Sequence, residues 1–363
     1  MLAVGIIGLP NAGKSTLFNL LTAGEAEVSA YPFTTIEGNV GMVPVPDPRL
    51  ERLRELLEPE ETTPCRIRFV DIAGLVEGAH KGEGLGNRFL GEIRKVDALA
   101  HVLRCFAQPE VAHVAGTVDP LRDAGIVETE LALADLELVE KALEKRRKQA
   151  KSDPAHAAAE LERLEELRGC LERGEPLRTL GLGEAAAREA KALGLLTGKP
   201  QIYVANIGEE QISDPAAALS RIAALGADGQ PPEAVTISAK IESELLELDD
   251  DERLEFMAEL GIESSGLDRL IEASFRFLSL IRFYTVVHGK LRAWEVADGS
   301  NARQAAGRVH TDMERGFVRA QVAGAEELLE AGSLQELHHH GRLRTEGRDY
   351  RVADGDVIEF LFS

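Results

Sequence analysis

"GLPNAGKST", Gly8 to Thr16, follows the short apolar run "LAVGII", Leu2 to Ile7, and leads into "LFNLL", Leu17 to Leu21. The octet Gly8 to Ser15 fits G-x-x-x-x-G-K-[ST], and its place between a strand pattern and a helix pattern is the context that gives the motif its meaning. In such a loop the backbone N–H groups and the positive end of the following helix surround a β-phosphate. Lys14 is then set to reach the β- and γ-oxygens. Ser15 is set to offer a hydroxyl to Mg²⁺, an ion that keeps phosphate oxygens and waters as most of its ligands. The nucleotide contacts expected from this loop are Asn11, Ala12, Gly13, Lys14, Ser15 and Thr16.

Outward from the loop, "AVGIIG" reads as a buried strand and "KSTLFNLLTAG" as a helix stopped by Gly24. "CRIRFVDIAG" gives a second strand ending at Asp71, "ALAHVLRCF" a third, and "PQIYVAN" a fourth ending at Asn206. Strands alternating with helical stretches predict an α/β domain on a mostly parallel sheet, with ligands bound beyond the carboxyl ends of the strands. From Val127 to about Lys151 the pattern changes, with Leu136, Val139 and Leu143 on one helical stripe. Ser152-Asp153-Pro154 breaks it, Asp153 as N-cap and Pro154 in the first turn, and a second stripe follows through Leu161, Leu164, Leu167 and Leu171. Two amphipathic helices in succession predict a helical hairpin inserted into the nucleotide domain. From Ile281, "FYTVVHGKLRAWEV", "FVRAQV" and "DYRVADGDVIEFLF" are β-branched and aromatic runs between Gly and Asp turns, with an amphipathic stretch at Ala302 to Ala306. The expected domains are therefore 1–126 with 200–278 for nucleotide, 127–199 for the hairpin, and 281–363 for a small α+β unit. His338-His339-His340 reads as a solvated loop rather than a metal site.

With 41 Lys and Arg against 62 Asp and Glu, the chain of 363 residues carries a formal net charge of −21. That balance disfavours bare phosphate backbone, because nonspecific nucleic-acid affinity comes from cations displacing condensed counterions. Contact with rRNA needs a local basic patch, and "EKRRKQAK", with Lys145 to Lys151 at the hairpin tip, is the obvious one. The same run also reads as a solvated helix end whose cations sit near the carboxyl terminus. Cys65, Cys105 and Cys170 lie far apart without C-x-x-C spacing, which points away from zinc and disulfides and toward a reducing cytoplasm. The apolar start is too short for a signal peptide and no run is long enough to span a bilayer, so neither export nor a membrane is expected.

Two more segments fall where a phosphate switch needs them. "YPFTTIEGNVG" contains Thr35, a candidate metal ligand when a γ-phosphate is bound; "DIAGL" supplies Asp71, aimed at the metal through water, and Gly74, whose N–H can meet the γ-phosphate. After the fourth strand come Asn206-Ile207-Gly208-Glu209 and then Ser238-Ala239-Lys240, where base-reading loops lie.

The segments "GLPNAGKSTLFN", "YPFTTIEGNVG", "DIAGLVEGAHKGEGLGN", "DPRL", "ELALADLE", "RAW" and "HTDMERGFVRAQV" resemble the YchF or Obg-like ATPase family, among the Obg-related P-loop NTPases of the translation-factor class, from end to end of the chain. The resemblance implies a nucleotide domain interrupted by a helical hairpin, a carboxyl-terminal TGS domain, ATP as substrate, and association with ribosomes or their subunits. One departure is Gly38, where the family usually has proline.

A guanine site normally carries N-K-x-D, whose carboxylate accepts from guanine N1–H and the 2-amino group. Here Glu209 is one methylene longer and Ile207 replaces the lysine that packs over the base. The tetrad agrees with the ATP preference that the resemblance implies, while Asn206 and Ser238-Ala239-Lys240 are shared with GTPases.

Leu75 stands where many switch GTPases have a water-orienting glutamine, so catalysis must come from elsewhere. Asn11 resembles the asparagine that helps hold K⁺ in related NTPases with such a hydrophobic substitution, a cation that would offset charge as an arginine finger does. His113 matches a histidine to which the family assigns a catalytic role; His80, the competitor, is often serine in relatives. Gly82, Gly84 and Gly86 supply backbone freedom for a mobile switch. The expected catalytic set is His113, Asn11, Lys14 and Gly74, with Ser15, Thr35 and Asp71 on metal. An ATPase, an ATP-gated binding module with incidental turnover, and a GTPase assembly factor remain open on this reading.

Overall fold

The computed structural model describes residues 2–23, 39–72, 78, 85–108, 113, 116–149, 154–227 and 229–363. Its strands are β1 (Ala3–Ile7), β2 (Val40–Pro44), β3 (Glu61–Thr63), β4 (Arg66–Asp71), β5 (Ala98–Arg104), β6 (Gln201–Asn206), β7 (Ala234–Ile237), β8 (Leu280–Val287), β9 (Lys290–Ala297), β10 (Phe317–Gly324), β11 (Arg344–Glu346) and β12 (Asp356–Phe362). They form two six-stranded sheets, ordered β2-β4-β1-β5-β6-β7 and β11-β10-β12-β8-β9-β3. Residues 1–42 with 68–270 pack as one compact unit, and 43–67 with 271–363 as a second.

In the first unit β1 lies between β4 and β5, and the β4-β1, β1-β5, β5-β6 and β6-β7 pairs are all parallel. β1, β5 and β6 are buried along their whole length, which is why they read as continuous apolar runs rather than alternating ones. The register pairs Ile6 with Asp71, Arg104 with Asn206 and Asn206 with Ile237, so the carboxyl ends of the strands meet along one edge. Helix Leu85–Lys95 and the first part of helix Pro120–Gln149 cover a core that joins Ile7, Val70, Ile93 and Leu99 to Val127 and Leu131.

Helix Pro120–Gln149 starts seven residues before the expected Val127, because Pro120 suits a first turn and Ala124 and Val127 are already buried against the sheet unit. Helix Pro154–Glu172 begins at its proline as expected; the Asp153 cap lies outside the described residues. Val139, Leu143, Leu164, Leu167 and Leu171 form the core of the hairpin, with Leu136 and Leu161 partly buried beside it. A further helix, Glu184–Leu193, with Gly194 in the left-handed region as its stop, adds Ala190 to that core and was not anticipated. Gly86, expected to loosen a switch, falls inside helix Leu85–Lys95.

The second unit is α+β. β8 and β9 form a hairpin through Gly289, β12 pairs antiparallel with β10 and parallel with β8, and helix Ala302–Val309 packs Ala302, Ala305 and Ala306 into the core with Phe283 and Ile358. The segment 43–67, inside the expected stretch 1–126, belongs with this unit: β3 pairs in parallel with β9. Asp47 caps helix Pro48–Leu57 by accepting from the amides of Arg49 and Leu50, and it also accepts the Tyr284 hydroxyl at 2.8 Å. Burial, then the Asp47 charge, push the Tyr284 phenol well above its usual range. His338 and His339 end a short helix, Leu334–His339, rather than lying in a loop. All three cysteines are buried free thiols. Among the described residues no helix is long and apolar enough to cross a membrane.

His101 on β5 is 0 % exposed, 3.4 Å through Nδ1 from the Gln201 amide nitrogen and tilted against the Tyr203 ring. Burial above all lowers its pKa to about 4 from 6.5, with Glu128 opposing and Arg178 and Lys14 adding to the shift. The unfolded chain thus takes up this proton near pH 6.5 and the folded chain only near 4. The associated stability is fully present above 6.5 and drains as pH falls through that window, by roughly 3 kcal/mol. A His101→Leu variant is expected to lose about that much less stability than wild type between pH 7 and 4, as read by denaturant unfolding under circular dichroism.

Candidate functional site

The loop between β1 and helix Lys14–Ala23 is shaped by three residues at positive φ, Gly8 at 145°, Asn11 at 63° and Gly13 at 100°. Two of them admit no side chain. A Cβ on Gly8 would stand 2.4 Å from the Val102 carbonyl oxygen, and one on Gly13 would stand 2.3 Å from the Asn206 side-chain nitrogen. Asn206, 5 % exposed at the end of β6, donates from Nδ2 to the Ala12 carbonyl at 3.0 Å and accepts the Ala239 amide on Oδ1 at 3.4 Å. One side chain therefore ties the phosphate loop to both loops expected to read a base.

Lys14 is 7 % exposed and its Nζ donates to the Leu9 carbonyl at 2.7 Å, bracing the loop from within. Burial lowers its pKa to about 8, with Asp71 pulling the other way. Ser15 Oγ donates to Asp71 Oδ2 at 3.1 Å, while Asp71 Oδ1 is buried with no hydrogen-bond partner. A hydroxyl and a carboxylate converging, with one oxygen left over, is a donor set suited to a hard divalent cation. Thr35 and Gly74 lie outside the described residues, as do Leu75 and His80.

Beside the loop opens a cavity of about 650 Å³, lined among others by Asn11, Gly13, Thr16, Ile207, Glu209 and Ser238 to Lys240. Ile207 is 5 % exposed, and Glu209 forms an ion pair with Lys240 across the mouth. Both partners of that pair are well exposed, so solvent screens it and the shape of the cavity is left to the backbone. Ser238 Oγ is buried and unpartnered. The sequence reading missed a third wall, Phe106 to Gln108, just after β5. Arg104 holds it: Nε donates to the Phe106 carbonyl at 3.3 Å, Nη2 to the Gln108 carbonyl at 3.2 Å, and the guanidinium lies 4.7 Å from the Phe106 ring centre. The signal available was position, since these residues follow the carboxyl end of a central strand.

His113 does not stand apart. Its Nε2 lies 2.7 Å from Asp123 Oδ2, both side chains are about 5 % exposed, and Arg122 grips the other Asp123 oxygen at 2.8 Å.

Residues 3–146 match the model of a family described as 50S ribosome-binding GTPase, and residues 280–363 match the carboxyl-terminal YchF GTPase model, described as a protein of unknown function (DUF933). The ribosome-binding ATPase YchF of Bacillus subtilis (strain 168) is 46% identical over 364 residues, covering 100% of this chain and 99% of the relative. The chain belongs to the YchF family. Within that family the ribosome-binding ATPase YchF of Escherichia coli O157:H7 is 45% identical over 359 residues, covering 99% of this chain and 98% of its own. The solved Schizosaccharomyces pombe YchF GTPase superposes with a TM-score of 0.87 at 32% identity, over 99% of this chain and 97% of that one. The expected P-loop NTPase domain is matched by the first of the two family models and the expected carboxyl-terminal α+β domain by the second.

Two outcomes follow from the geometry. Gly13→Ala is expected to weaken ADP binding about tenfold or more by displacing Asn206 and straining the loop, as read by calorimetry. Because phosphate favours the charged Lys14, ADP affinity should be flat below about pH 8 and fall about tenfold per unit above it, as titrations from pH 7 to 9.5 would show.

Proposed function

We propose that the chain is an ATP-hydrolysing, ribosome-associated nucleotide switch of the cytoplasm. The observation that carries the choice of nucleotide is the base loop: Glu209, one methylene longer than the aspartate of a guanine site, pairs with Lys240, and the buried Ile207 stands where a guanine site has its lysine. Adenine presents an acceptor at N1 and no 2-amino group, and needs no such carboxylate. The relatives' names lean the same way, since several are called ribosome-binding ATPases, whereas the fission-yeast relative is called a GTPase. That last name, with Asn206 and Ser238-Ala239-Lys240, keeps GTP as the second reading.

Turnover is in-line attack of water on the γ-phosphate. Mg²⁺, held by Ser15 and Asp71 and by Thr35 on the family pattern, would neutralise phosphate charge when bound. Lys14 meets the β- and γ-oxygens, the loop amides to Lys14 receive the β-phosphate, and on the family pattern the amide of Gly74 serves the γ-phosphate. His113 positions the water, and Asn11 is the ligand this chain offers to K⁺. Within the chain, 127–199 acts as a helical insert and 281–363 as a TGS domain. The ribosome is the partner. Any rRNA contact falls to the tip run Lys145 to Lys151, in which Lys145 and Lys148 are exposed and Arg146 and Arg147 pair with Glu160 and Glu165.

Calorimetry with Mg²⁺ should give ATP about tenfold tighter binding than GTP, one hydrogen-bond mismatch being worth about that much. Tight GTP binding with indifference to ATP would sink the reading. Turnover should also be faster in potassium than in sodium buffer and should drop in His113→Ala.

A further inference from the structure

Helix Pro120–Gln149 carries several buried acids. Asp123 and Glu130 are each 3 % exposed and Asp135 is 0 % exposed, while Glu128 on the same helix is largely buried against Arg178, Gln201 and Tyr203. Glu130 and Asp135 are the first and sixth residues of the "ELALADLE" segment. Asp135 is structural: it accepts the amides of Leu196 and Thr197 at 2.8 Å each and the Thr197 hydroxyl at 2.7 Å, pinning the chain just before β6. Glu130 reaches the other way. Its Oε1 accepts the amide of Gly78 at 2.7 Å, and Gly78 stands seven residues beyond Asp71.

Asp123 and Glu130 are seven residues apart, about two turns, with Val127 between them at 0 % exposure, so they share one face of the helix. From that face one carboxylate holds His113, beyond the end of β5, and the other holds Gly78, beyond the end of β4. The same helix runs on as the first arm of the hairpin, where Val139 and Leu143 enter the hairpin core.

We propose that Glu130 is a positioning residue for hydrolysis and the mechanical tie between the nucleotide site and the hairpin, with Asp123 as the matching positioning residue for His113. The proposal rests on the reading that this site hydrolyses ATP. A charged acceptor on a backbone N–H is a strong, short and directional bond. Any displacement that a bound nucleotide imposes on Gly78 is thereby passed to a rigid helix, and a partner that grips the hairpin biases the same helix in return, since coupling between two sites is reciprocal.

The test uses the full chain. Glu130→Ala should lower kcat about tenfold while ATP affinity stays within about threefold, a coupling in the ordinary range. Glu130→Gln, which keeps an acceptor oxygen at the same reach, should recover most of the loss. In wild type, hydrogen exchange of residues 131–149 should differ between a non-hydrolysable ATP analogue and ADP, and in Glu130→Ala that difference should vanish. Asp123→Asn should lower kcat in wild type and add nothing in a His113→Ala background. Wild-type kcat in Glu130→Ala, or a nucleotide-dependent exchange difference that survives it, overturns the proposal. So does the absence of any such difference in wild type, which needs no variant to fold. Should His113→Ala keep full turnover, the role given to His113 fails by itself, and the Glu130 arm is still decided by exchange.

Discussion

The phosphate loop has to lie within contact distance of two neighbouring strands, with no side chain in between. At Gly8 the nearest atom is a carbonyl oxygen of β5, and at Gly13 it is the amide of Asn206. Those two approaches press the loop against the carboxyl ends of β5 and β6, and everything else about the site follows from them. Asn206 can hold Ala12 and Ala239 together only because Gly13 leaves room. Helix Lys14–Ala23 can aim its amino end at the loop only because β1, between β4 and β5, launches it from the middle of the sheet. Asp71 meets Ser15 because β4 is β1's other neighbour.

A second constraint is electrostatic. A chain of net charge −21 keeps three carboxylates of one helix almost wholly out of water. Removing a carboxylate from water costs several kcal/mol, and each hydrogen bond to it returns about 1.5–3. Asp135, with three such bonds, comes out near balance; burial still raises its pKa, with the amides and hydroxyl of 196 and 197 opposing. Interactions that nearly cancel in stability fix geometry rather than strength. Each acid specifies which segment docks at which height on the helix: His113, Gly78, then the turn before β6.

The second unit shows a different economy. Its sixth strand, β3, and its helix Pro48–Leu57 come from a stretch lying between two strands of the first unit's sheet. The buried Asp47 serves twice, capping that helix and accepting from Tyr284 on β8, so a local signal for a helix start is also a long-range fastener.

Much of the nucleotide site was legible in the sequence because its parts are local. A glycine loop, a strand that ends in Asp71 and another that ends in Asn206 each declare themselves within about ten residues, through periodicity and backbone permissiveness. The hairpin was legible for the same reason, from apolar residues at helical spacing on both arms. What no short window contains is the identity of a distant partner. That Phe106 walls the cavity beside the phosphate loop, that residues 43–67 join the carboxyl-terminal sheet, and that Glu130 reaches Gly78 depend on which surfaces meet once the sheet is assembled. Strand pairing and buried carboxylates gain their partners only by excluding water together, and that is a property of the packed chain.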